Sequence, residues 1–385
     1  DLLNILIFTV LLYTAKFYFD YFTRDNPLPG PFPLPLIGSL YTYHGNAVQW
    51  GIKLHKTYGE LFEVWFGTQR QIFLNEHRQL EKLHQPNLKN NFIIHISRNK
   101  GLEKYGVMNS GLLFNLDFEK WKQIRKELNR TMTSQRFQKE TIVVVQNLFD
   151  EMTKYWEKLE HEQVDLSIWV HRLFSDHFFL TTTGISCQLL AQEFNTQCTD
   201  AQKLSIRQET VDFSKSITGR QRIHNEALQF FILSPEIVWR FILRKLTNKY
   251  LENRLNFYQQ FDSIIEKRLE QIMNGDTLEY KDSAISTMIN MEIEHQSTLE
   301  TESKLPNRLI NVANIREALI TVLGASIATT VSAFLFLIEY VGRNPNVEKK
   351  LLEELFAIHG TDPNSPIEFD KLQKMIYTEA VIYES

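Results

Sequence analysis

Cysteine is nearly absent from this sequence: Cys187 and Cys198 are the only two in 385 residues. That excludes a disulfide framework and points to a reducing compartment. Neither cysteine combines with the eleven histidines in a zinc-type spacing, and no His-Glu-x-x-His occurs. There is no P-loop and no Gly-x-Gly-x-x-Gly, so a phosphate cradle has no local signal. An excess of positive charge is also missing. Lys and Arg number 42 against 46 Asp and Glu, a net charge of −4. Polyanion binding rests on clustered positive charge, so nucleic acid is excluded as the main partner.

What is present is apolar and aromatic. Residues are 43% hydrophobic and 23% charged, with 27 Phe and 14 Tyr, enough for a substantial core or an apolar ligand cavity. The hydrophobic periodicity is mainly helical. One β interruption, Glu60 to Asn75, has two aromatic and β-branched runs around Gly67-Thr68 and predicts a hairpin. Helices are predicted over Phe118–Arg130, Phe137–Leu159, Asp165–Leu180 with Asp165 as N-cap, and Tyr250–Met273. Asn87 to Gly111 predicts a loop with a short helix, and the polar stretch Asn274 to Asn307 a surface excursion. The aromatic segment Gln208 to Lys245 suits either a core helix pair or a membrane-dipping patch. No internal repeat or clean domain break interrupts the pattern, so the expected class is mainly α with a minor β-sheet.

Two long runs carry no charge. Leu2 to Ala15 is followed by Lys16, an aromatic cluster (Phe17, Tyr18, Phe19, Tyr21, Phe22) and Arg24. Its fourteen residues fall short of the roughly 20 needed to span a bilayer, but Lys16 can snorkel and the aromatics suit an interface. Lys16 and Arg24 would leave the following domain on the cytoplasmic side. A cleaved signal peptide and an N-terminal core helix stay open as other readings. Directly after it, the alternating prolines of Pro27 to Gly38 forbid helix and predict a semi-rigid extended spacer. The second run, Ala318 to Ile338, is long enough to span. Its centre, Gly324 to Ser332, is rich in Gly, Ala, Ser and Thr, which suits either a membrane helix interface or a core helix thinned to admit a ligand. The amphipathic start at Arg343-Asn-Pro345 favours the core helix.

Three places offer chemistry. Trp121 and Arg125 share a helix face and present an indole N–H and a guanidinium fork suited to a carboxylate; a surface cation–π pair is the other reading. Thr329 and Thr330 sit in the small-residue centre, where a hydroxyl either bonds back to the Ala325 carbonyl or faces a cavity. Glu384, late in an apolar helix, calls for a basic partner at i+3 or else faces solvent.

In this order, the features resemble a cytochrome P-450 of the eukaryotic microsomal kind. Pro29-Gly30-Pro31 and Ile37-Gly38 resemble the family's tether and proline hinge. Trp121 and Arg125, after Gly111-Leu-Leu-Phe114, resemble its W-x-x-x-R helix, whose donors hold a haem propionate. Ala325-Ser-Ile-Ala-Thr329-Thr330 is similar to its A-G-x-(D/E)-T-T, and Leu372 to Glu384 to the run into its E-x-x-R helix. The resemblance spans nearly the whole chain and thins between about Glu140 and Asn307. It implies an anchor over residues 1–26 and a catalytic domain over 27–385, incomplete at its C-terminus and ending inside the E-x-x-R helix. It implies haem b contacted by Trp121, Arg125, Ala325 and Ala328, with Thr329 catalytic and Glu384 structural. The implied reaction inserts one atom of O₂ into an apolar small molecule, with electrons from NADPH through a flavin-containing reductase, at the cytosolic side of the endoplasmic reticulum membrane. The cluster of Lys120, Lys122, Lys126 and Arg130 either faces that reductase or is a solvated helix face.

Two departures stand out. The position of the family's acid, which helps relay protons to bound oxygen, is Ala328, and Ser326 replaces the preceding glycine. The haem-thiolate loop, whose sulfur defines the chemistry, is absent from the sequence as given, and neither Cys187 nor Cys198 has its flanks. The chain by itself is therefore expected to bind no metal and to be inactive. The rival readings are a two-span membrane protein and a haem-free relic serving as a tethered binding module.

Overall fold

Side-chain caps set many of the helix starts. In a computed structural model, which describes residues 2–84, 98–159, 163–276, 280–302, 312–362 and 365–385, Asn46, Asn99, Asp117 and Asp165 each accept a backbone N–H of the helix they precede. Such a cap satisfies one of the orphan donors of the first turn. The chain forms two compact units, Asp1–Met108 with Glu226–Glu252, and Asn109–Asn225 with Asn253–Ser385.

The first unit opens with α1 (Leu2–Phe22) and α2 (Ala47–Tyr58), then β1 (Leu61–Phe66) and β2 (Gln69–Leu74), α3 (His77–His84) and α4 (Lys100–Tyr105). The hairpin is the one predicted, antiparallel, with Phe66 opposite Gln69 across Gly67-Thr68. The proline segment is more than a spacer. It lies against β1, where Glu63 donates its N–H to the Pro29 carbonyl at 2.9 Å and Gly38 bridges Phe66. Gly30 permits this approach, since a Cβ there would stand 2.0 Å from the Glu63 carbonyl oxygen. The prolines cannot donate, so an edge contact through carbonyls is the geometry open to them.

The aromatic cluster expected at a membrane interface is partly core. Phe17 is buried, and Phe17 and Tyr21 both meet Trp65 edge-on. Arg24 reaches the buried Glu63 carboxylate at 2.7 Å, which also receives Arg70. Along the rest of α1 bare apolar side chains are presented from end to end, among them Leu3, Ile5, Phe8 and Leu11 and, beside the buried Phe17, Phe19 and Phe22.

The second unit holds α5 (Phe118–Met132), α6 (Gln135–Leu159), α7 (Leu166–Thr183) and α8 (Leu189–Gln197). Next come α9 (Gln208–Leu233) and α10 (Arg244–Asn274), whose ends 226–233 and 244–252 belong to the first unit. α11 (Ala284–Glu302), α12 (Val312–Arg343), α13 (Pro345–His359), α14 (Phe369–Leu372) and α15 (Ile376–Glu384) complete it. The core is organised on α12. Ile315, Leu319, Leu323, Ile327 and Val331 recur at four-residue spacing and pack with Phe179 of α7, Phe261 of α10, Ile285 of α11 and Ile124 of α5. Each large side chain so buried contributes about 1.5–3 kcal/mol. A second cluster joins Met152 of α6, Trp169 of α7 and Phe194 of α8.

Both α1 and α12 are long and apolar enough to cross a membrane by length and composition. The buried stripe of α12 shows it serving as a core helix along one face. The expected surface excursion needs correction. Half of Asn274 to Asn307 is α11, whose Ala284, Ile285, Met288 and Ile289 are buried. Their four-residue stripe was masked by the surrounding Ser, Thr, Asn and Glu. Residues 277–279 and 303–311 lie outside the described residues, as do 87–97 of the expected loop; its short helix is α4.

Candidate functional site

The candidate site lies where α5, α9 and α12 of the second unit face one another. Gly111, at φ 59°, lets the loop before α5 press on α12: a Cβ there would stand 2.5 Å from Thr321 Oγ1. Asp117 then starts α5 by accepting the Lys120 N–H at 3.1 Å. Ile124 is fully buried in the α12 core, which holds the flanking Trp121 and Arg125 at the edge of that contact. Trp121 is half-buried and stacks on Phe118, with centroids 5.8 Å apart. Arg125 is exposed and has no ion pair or hydrogen bond among the described residues. The cation–π pair between Trp121 and Arg125 does not form. Lys120, Lys122, Lys126 and Arg130 are all exposed.

On α12, the face turned from the core is lined by small residues. Gly324, Ala325, Ala328, Thr329 and Thr330 are exposed, while Leu323 and Ile327 between them are buried. Thr329 donates its hydroxyl to the Ala325 carbonyl at 2.5 Å, the back-bonded alternative. Ser326 is half-buried, and its hydroxyl has no partner among the described residues. α9 crosses here: Gln221 Nε2 donates to the Leu323 carbonyl at 3.2 Å, and Asn225 Oδ1 faces Gly324. Next to them His224, between Phe257 and Tyr258, is held down to about 4 by burial, with Arg254 adding to it. It is neutral at neutral pH.

Sequence reasoning missed a polar network about two helix turns below. Arg316 binds Asp262 at 2.7 Å and approaches Glu317 at 3.6 Å, while the Tyr258 hydroxyl donates to Glu317 at 3.4 Å. Burial pushes that phenol up to about 12. The Arg-Glu pair opening an otherwise apolar run was the available signal.

The other expected residues fall elsewhere. Glu384 is exposed at the end of α15. Its helix is instead fixed by Glu354 of α13, which accepts from Tyr377 N and Thr378 N at 2.7 and 2.8 Å. Burial drives the Cys187 thiol up, with the Asp176 charge adding to it, so Cys187 is inert. Cys198 is half-buried against the second cluster. Among the described residues no group of three His, Cys, Asp or Glu could hold a metal.

Comparison with known proteins shows the family. Residues 28–385 match the family described as Cytochrome P-450. Cytochrome P-450 3A17 of Cavia porcellus is 24% identical over 387 residues, covering 98% of this chain and 68% of its own length. Cytochrome P-450 3A25 of Mus musculus is 23% identical over 377 residues, with 98% and 68% covered. Aromatase 1 of Sus scrofa is 21% identical over 372 residues, with 94% and 64% covered. The chain thus spans about two thirds of the length of these relatives.

Proposed function

The chain belongs to the cytochrome P-450 family of oxidoreductases, and from that premise we propose that it is the larger part of a membrane-anchored haem-thiolate monooxygenase acting on an apolar small molecule. Residues 1–26 form the anchor and 27–385 belong to the catalytic domain, held at the cytosolic side of the endoplasmic reticulum. Electrons come from NADPH through a flavin-containing reductase.

The observation that carries this reading is the pairing of an exposed small-residue face on α12 with a guanidinium on the adjoining α5 that has no partner among the described residues. Gly324, Ala325, Ala328 and Thr329 are all exposed, with Asn225 facing Gly324 alone among the described residues. Their lack of bulk fits a flat macrocycle. Arg125, with Trp121 one turn away, supplies the donors that a propionate requires. Haem b, when bound through a thiolate, supplies oxygen activation.

The protein's own residues then bind, orient and handle protons. Arg125 and the Trp121 indole N–H orient a carboxylate. Ala325 and Ala328 set how closely a ligand plane approaches α12. Thr329 holds its proton against the Ala325 carbonyl and can turn it outward only by giving up that bond. Ala328 carries no proton, and His224 is neutral, so an acid beside Thr329 is lacking on both α12 and α9.

The test is haem content. In the full-length protein, Arg125→Leu with Trp121→Phe should lower the haem retained after purification at least tenfold while circular dichroism stays helical. Full retention would remove the propionate role from both residues.

A further inference from the structure

The first unit contains two cavities that share a wall. One, of about 690 Å³, is largely apolar and runs from Val10 and Tyr13 of α1 past Leu36 to Phe231. The other, of about 810 Å³, is a polar cleft lined by Lys100, Lys104, Arg240 and Arg244 with Glu103 and Glu236. Lys100, Glu236, Trp239, Arg240 and Phe241 border both.

The charge of the cleft is not self-compensated. Glu236 is paired with Arg240 at 2.9 Å and with Lys100 at 3.6 Å, and Glu103 is paired with Arg98. Lys104 and Arg244 have no ion-pair partner among the described residues. Four cations against two carboxylates leave the wall at +2. An anion entering it gains attraction without displacing an existing pair.

The shared wall is an unusual piece of backbone. Val238–Ile242 forms a π-turn, closed by Leu243 N donating to the Val238 carbonyl at 2.7 Å. Such widened turns are rare and occur often at functional sites. Thr247 steadies this one by donating to the Trp239 carbonyl at 2.8 Å. The turn keeps Trp239 buried while Phe241 and Ile242 stand 69% and 67% exposed. Bare apolar side chains therefore rim a cationic cleft that opens into an apolar cavity beside α1.

We propose that this double cavity holds one anionic glycerophospholipid of the bilayer, with the headgroup between Lys104 and Arg244 and an acyl chain along Trp239 and Phe241 toward α1. Charge complementarity selects an anion, and the adjoining apolar space selects an amphiphile over free phosphate. The inference rests on the membrane-anchored reading above.

The full-length protein is reconstituted in nanodiscs of phosphatidylcholine carrying a tenth of either acyl-brominated phosphatidylserine or equally brominated phosphatidylcholine. Quenching of tryptophan fluorescence is then compared. Brominated phosphatidylserine should quench at least twice as strongly. The difference should vanish in Lys104→Glu/Arg244→Glu and in Trp239→Phe, and persist in Lys53→Glu/Lys56→Glu, where exposed lysines of α2 are reversed. Equal quenching by the two lipids overturns the site. So does an equal loss in the α2 variant, which would mean diffuse surface charge, or a difference that survives Trp239→Phe. Failure of the protein to co-elute with the nanodiscs would overturn the anchored reading together with the site, whereas co-elution with equal quenching would overturn the site alone.

Discussion

The Thr329 hydroxyl lies 2.5 Å from the carbonyl oxygen of Ala325, one turn earlier on the exposed small-residue face of α12. The preceding position on the helix, Ala328, carries no acid. The hydroxyl is the one side-chain proton on the exposed small-residue stretch that the account assigns to catalysis.

Thr329→Val keeps the shape of that face and removes the proton. In the full-length enzyme it should uncouple electron consumption from product formation, raising NADPH used per product several-fold with little change in thermal stability. Unchanged coupling would mean that protons arrive by a route that bypasses Thr329.

Glu63 is the polar centre of the first unit. Its side chain is 2% exposed and meets Arg24 and Arg70, each at 2.7 Å, and it accepts from Trp65 Nε1 at 3.2 Å. Glu63→Ala would leave two part-buried guanidinium groups with backbone carbonyls but no carboxylate and cost about 3 kcal/mol. Lys16→Ala, breaking an exposed pair with Asp20, should cost under about 0.5 kcal/mol. Chemical unfolding followed by tryptophan fluorescence separates the two.

The difference between these residues marks what the sequence could disclose. Periodicity found the hairpin, since Phe62 and Val64 of one run and the turn at Gly67 are local signals. Caps such as Asp165 are equally local. Glu63 reads as an ordinary solvent-facing strand residue, and only the return of Arg24 and Arg70 in three dimensions explains its burial. The same holds for α11, whose buried Ile285 and Ile289 are surrounded by polar neighbours. At the candidate site, Trp121, Arg125 and Thr329 were legible because their spacing is helical. The crossing of Gln221 and Asn225 over Leu323 and Gly324 was not, because it joins positions about a hundred residues apart.

Asp176 predicts a pH dependence. It is buried, accepts the Leu190 N–H at 2.9 Å through one oxygen, and leaves the other without a partner among the described residues. Burial pushes its carboxyl from 3.8 up to about 7. Below pH about 4 both folded and unfolded chains hold this proton; between there and about 7 only the folded chain does. Stability should therefore fall as pH rises across that window, by a contribution of roughly 4 kcal/mol, and level off above it. Asp176→Asn should remove this contribution, so its stability relative to the native chain rises from pH 4 to 7. A constant difference across the window would show that the carboxyl is ionised when folded.

Lys122 and Lys126 project from α5 beside Trp121. If they steer an acidic reductase, Lys122→Glu/Lys126→Glu should slow reduction of the full-length enzyme about tenfold at low ionic strength. The difference should close near 1 M salt, where the screening length is about 3 Å. Stopped-flow reduction measures both, and rates equal at low salt would assign these lysines to a solvated face.

The most direct test of the account is the spectrum of the reduced, carbon-monoxide-treated full-length protein that carries this chain. The red-shifted Soret band of a thiolate-ligated haem is expected, diminished in proportion to haem loss in Arg125→Leu. A full-length protein that takes up no haem, or one whose Soret band is that of a histidine-ligated haem, would contradict it.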